Sequence, residues 1–104
     1  MKQVINSKLY DTESAEELAS YSNHKPKSDF DYVREVLYKT DAGQYFLHAD
    51  GGAASKHAEK VGNLTTPNEE LIPMSDEEAL SWCEERQIDG EMVIEEFEDI
   101  IEKA

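Results

Sequence analysis

Two runs of β-forming residues, with Tyr32, Val33, Val36, Leu37 and Tyr38 in the first and Tyr45-Phe46-Leu47-His48 as the second, flank the turn-forming triplet Asp41-Ala42-Gly43. A connection this short leaves the two runs one arrangement, as neighbouring antiparallel strands. The centre of the chain is therefore a hairpin, and the rest must supply the partners that bury its apolar side chains. At the start, Gln3-Val4-Ile5 and Lys8-Leu9-Tyr10 surround the polar pair Asn6-Ser7, which predicts a second, smaller hairpin. Glu70-Leu71-Ile72-Pro73-Met74 reads as an edge strand, because Pro73 has no N–H to donate to a central ladder.

Helical signals lie on either side of these strands. Ser14 and Glu17 have capping-box spacing and predict a short helix through Leu18, Ala19 and Tyr21, which Ser22 to Asp29 breaks. Ser75-Asp76-Glu77-Glu78 repeats the box and opens a helix through Ala79, Leu80, Trp82 and Cys83, stopped by Asp89-Gly90. From Glu91 to Lys103 the apolar residues Val93, Phe97, Ile100, Ile101 and Ala104 recur at helical spacing. The stretch 49–68 reads as a mobile loop, with a helical turn over Ser55 to Lys60. Together these predict one α+β domain over residues 1–104. Its small antiparallel sheet of about five short strands carries two C-terminal helices and one short N-terminal helix.

Charge divides the chain unevenly. Residues 1–68 hold ten acids and eight bases, whereas residues 69–104 hold fourteen acids and two bases, so nearly all of the net −14 belongs to the last third. That sign argues against nucleic acid or an anionic membrane as a direct ligand and favours a basic partner. No run approaches the roughly 20 apolar residues that span a bilayer, and the first residues lack the apolar core of a signal peptide, so a cytoplasmic location is expected. On a helix over 91–103, Glu91, Glu95, Glu98 and Glu102 form a row opposite the Val93/Phe97/Ile100 stripe, widened by Glu96 and Asp99. Neighbours in such a row stand about 5–6 Å apart and repel. With Glu84 and Glu85 on the preceding helix, the row imitates closely spaced phosphates and would suit a groove that binds nucleic acid. The bland alternative is a solvated face of a highly soluble protein.

His48, Asp50 and His57 are the one group of residue types suited to a metal or catalytic centre, although Gly51-Gly52 suggests that the chain simply turns there. A metal-dependent enzyme centred on those three is thus a second reading. A structural homo-oligomer that covers the apolar strand residues and Trp82 is a third. Cys83 is the sole cysteine, so no internal disulfide forms, and neighbouring Glu84 and Glu85 work against an activated thiolate. No cofactor motif, Gly-x-Ser-x-Gly elbow or His-Glu-x-x-His helix is present, and no catalytic residue is assigned.

Three parts of the chain carry a resemblance. The opening from Met1 to Ala15, the centre from Leu37-Tyr38-Lys39-Thr40 through Gly43-Gln44-Tyr45-Phe46-Leu47-His48 to Gly51-Gly52, and Ile72-Pro73-Met74-Ser75 with Glu78-Ala79-Leu80-Ser81-Trp82 are similar to a family of small, largely uncharacterised acidic proteins. Phages and integrative elements of Gram-positive bacteria carry that family. The resemblance implies a shared fold more than a shared mechanism. Its mobile-element setting implies a protein that disarms host defence by blocking a nuclease such as a CRISPR effector.

Overall fold

The computed structural model describes all 104 residues. Its centre is an antiparallel sheet, in spatial order β3 (Glu16–Ser22), β4 (Val33–Lys39), β5 (Tyr45–Gly51) and β8 (Asn68–Met74). The central hairpin forms as expected, with Leu37 opposite Leu47 and Tyr38 opposite Phe46. Gly43 closes its turn at φ 84, a conformation that costs a residue without Cβ little. The opening hairpin, β1 (Lys2–Ile5) and β2 (Lys8–Asp11), also forms, and Asn6 and Ser7 both take the positive φ that a tight two-residue turn requires. β8 is an edge strand, so the missing N–H of Pro73 is tolerated.

Three expected elements take another form. The predicted N-terminal helix is instead strand β3, paired with β4 and bulged between Glu17 and Ala19. The capping-box spacing there is outweighed by the unpaired edge of β4, which a strand satisfies and a helix does not. The 49–68 region is more ordered than a loop. Strand β5 runs on through Gly51, and Glu59–Val61 (β6) pairs with Leu64–Thr66 (β7) around Gly62-Asn63, so eight strands replace the expected five. The last helix is also shorter than its periodicity implied: α2 covers only Gly90–Glu96. No basic residue lies in its last turn. Continuing it would set Glu98, Asp99 and Glu102 against the negative end of the helix dipole and against one another.

Alternation along β5 sends side chains to the two faces of the sheet in turn. Leu47 and Ala49 join Leu37, Tyr45, Ala79, Trp82, Cys83 and Phe97 in the larger core, beneath α1 (Asp76–Glu85) and α2. Phe46 faces the other way, into a small cluster with Tyr10 and Leu71 that fastens the β1–β2 hairpin to the sheet. Tyr10 meets the Phe46 ring edge-on and Tyr38 stacks on it, at centroid distances of 5.3 and 5.2 Å. The capping box at the start of α1 is complete, with Ser75 Oγ accepting from the Glu78 amide and Glu78 Oε1 accepting from the Ser75 amide. Its other end is closed at Gln87, where φ is 54 and the Ile88 amide donates to the Cys83 carbonyl. Asp89-Gly90, read from the sequence as the stop, instead begins α2.

Candidate functional site

Two arrangements of carboxylates stand out, one beneath the helices and one on their surface. The first is built on Glu35, which shares its sheet face with Leu37 and is completely buried. A charge taken out of water must be paired and hydrogen-bonded. Glu35 Oε1 accepts from Trp82 Nε1 and Arg86 Nε, each at 2.8 Å, and Oε2 meets His57 Nε2, with Lys56 Nζ at 3.8 Å. Burial raises the Glu35 pKa, but hydrogen bonds from Arg86, Trp82 and His57 outweigh it and leave the carboxyl below its ordinary value. It is held as an anion, the wrong state for a general acid at neutral pH. The cluster joins β4, the C-terminal end of α1 and the 53–58 segment.

That segment is positioned by Gly52. Its amide donates to the Tyr32 carbonyl at 2.8 Å and the Ala54 amide donates to the Phe30 carbonyl at 2.7 Å. A Cβ at Gly52 would stand 2.4 Å from the Asp29 carbonyl oxygen, so only glycine permits this approach. The buried His57 is thereby carried to Glu35, with its Nδ1 3.5 Å from Glu70.

The residues singled out for metal chemistry do not converge. His57 lies on the helical face, whereas His48 and Asp50 alternate with Ala49 and face the opposite side. His48 Nε2 is 2.6 Å from Glu69, Asp50 pairs with Lys27 at 3.7 Å, and no group of three or more His, Cys, Asp or Glu residues is arranged to hold a metal ion. Cys83 is buried, and desolvation first, then Glu84 and Glu96, pushes its thiol up to about 11.

The second arrangement is the acidic row, and the structure redraws it. Glu91 and Glu95 are one turn apart on α2, but Glu98 and Asp99 lie in the turn after it and Glu102 in the C-terminal residues beyond that turn. The continuous four-member row is therefore broken after Glu95. Glu84 and Glu85 close α1, which shares the core beneath it with the residues flanking α2. All seven are exposed and none enters an ion pair. Glu96 is the exception on α2, half-buried and bound to Lys39 Nζ at 2.9 Å and Tyr45 Oη at 3.1 Å. The Glu96 carboxylate raises the Lys39 pKa.

Sequence reasoning missed Glu35. Two signals pointed to it: its position alternates with the inward Leu37, and Arg86 is the lone base between residues 69 and 102. No helix is long and apolar enough to cross a membrane. Models of known protein families, curated proteins and solved structures give no match to this chain.

Proposed function

We propose that this is a non-catalytic acidic binding protein whose helical layer occupies the basic, nucleic-acid-binding surface of a partner. One observation carries the reading. Glu84, Glu85, Glu91, Glu95, Glu98, Asp99 and Glu102 are all solvent-exposed and without cationic partners, whereas the buried Glu35 and the half-buried Glu96 are each paired with a base. Neighbouring unpaired like charges repel one another weakly, and that repulsion is relieved when an opposite charge arrives. The partner we favour is a host defence nuclease such as a CRISPR effector. The resemblance of the chain to acidic proteins of phages and integrative elements supports that choice.

The contact is a surface formed by two short helices and a turn, in place of a single charged helix face. Reversing Glu84, Glu85, Glu91 and Glu95 together to lysine tests it. The expected result is loss of partner binding with the thermal unfolding midpoint kept, and wild-type affinity that falls steeply with added salt. Binding that survives the reversal, or that ignores salt, removes the proposal.

A further inference from the structure

The inner flank of α1 meets β8 in a shallow cleft of about 490 Å³. Its floor is apolar, formed by Leu47, Ile72, Met74 and the edge of Trp82, and its helical wall carries Glu77, Glu78 and Glu85. Lys56 and His57 lie on the side nearest Glu35, to which both are drawn. Of the three wall acids, Glu78 is engaged in the capping box, with its pKa lowered by the Ser75 amide and hydroxyl. Glu77 and Glu85 make no side-chain hydrogen bond or ion pair and are exposed. Glu85 lies eight positions after Glu77 on the helix, which is about 12 Å along the axis. Residues four apart on an extended chain are about 13 Å apart and point to the same side, with the residue midway between them pointing there too.

From this match of spacing and charge we infer that the cleft receives an extended segment of a basic protein, with arginine or lysine at two positions four apart and an apolar residue midway. The two cationic heads reach Glu77 and Glu85, their methylene stems lie along the apolar floor, and the middle side chain rests on Ile72 and Met74. This rests on the proposed binding of a basic partner and adds where one of its segments is seated and what pattern that segment carries. Lys56 sets the limit on the site, since it repels a third cation at the Glu35 side.

The test uses a capped heptapeptide with arginines four apart, a valine midway and serines elsewhere, titrated into the 15N-labelled full chain. Saturable amide shifts are expected at Ile72, Met74, Glu77, Ser81 and Glu85, with a shift of the Trp82 indole. Replacing both arginines by the neutral isostere citrulline should weaken binding by about three- to tenfold, as loss of two solvent-exposed charge pairs implies. Glu77→Gln with Glu85→Gln should do the same, while Glu13→Gln with Asp41→Asn, exposed acids outside the helical layer, should stay within about twofold. Shifts confined to α2 and the following turn would overturn the cleft while leaving the acidic-surface reading intact. Binding that tolerates citrulline would overturn the pairing with Glu77 and Glu85. Absence of saturable shifts anywhere would overturn the cleft, and the acidic-surface reading then stands or falls on the fourfold charge reversal alone.

Discussion

Glu35 and the carboxylates on the surface of the helical layer are the same chemical group in opposite circumstances. Glu35 has no exposed surface and is met by Trp82, Arg86 and His57, with Lys56 close by. Glu84, Glu85, Glu91 and Glu95 are in water and unpaired. The contrast separates two uses of acid in one small chain. A buried carboxylate ringed by donors fixes how strand, helix and loop fit together, and removing it leaves several donors stranded. Exposed carboxylates contribute almost nothing to the fold, so what they do must be read in binding.

The largest effect is expected at Glu35. Glu35→Ala leaves the Arg86 guanidinium, the Trp82 N–H and His57 without their acceptor, and should destabilise the protein by about 3–5 kcal/mol in chemical denaturation. A loss under about 1 kcal/mol would mean that water reaches the cluster and that its burial has been overstated. Trp82→Phe keeps most of the packing and removes one donor, for an expected loss of about 1–3 kcal/mol.

Acid should act through the same carboxylate. Because the folded-state pKa of Glu35 lies below its ordinary value of 4.5, its ionisation stabilises the fold above that value. That contribution is lost as pH falls through the lower, folded-state pKa. The denaturation midpoint of the wild type should therefore drop on acidification in that range, and Glu35→Ala should show a shallower drop. The smallest effect on stability is expected for Glu91→Lys with Glu95→Lys, within about 0.5 kcal/mol of wild type and of either sign. A large loss there would place those carboxylates in the fold instead of at an interface.

Local chemistry was legible in the sequence where it was self-contained. Asn6-Ser7, Gly43 and the Ser75/Glu78 box each specify their turn or cap from neighbouring residues, and the first two hairpins and the start of α1 stand where those signals put them. What depended on distant partners was not legible. Ser14 and Glu17 carry a helix-start pattern, yet the free edge of β4 draws that segment into the sheet. The apolar spacing of Val93, Phe97 and Ile100 suits a long helix, but Phe97 and Ile100 reach the core from a turn as readily as from a helix. Glu35 was hidden for the same reason, since its partners are 22 to 51 residues away along the chain. For the acidic surface, composition showed which third of the chain carries the charge, and only the fold showed that Glu96 is withdrawn from it by Lys39.

Competition with duplex DNA tests the acidic surface most directly. A CRISPR effector or other basic nuclease captured by the wild-type protein is titrated with DNA, in parallel with the Glu84→Lys, Glu85→Lys, Glu91→Lys, Glu95→Lys variant. Displacement of the wild type by DNA, with affinity falling as salt rises and no binding by the variant, is the predicted result. A complex that DNA leaves undisturbed, or that the fourfold variant forms as tightly, would contradict it.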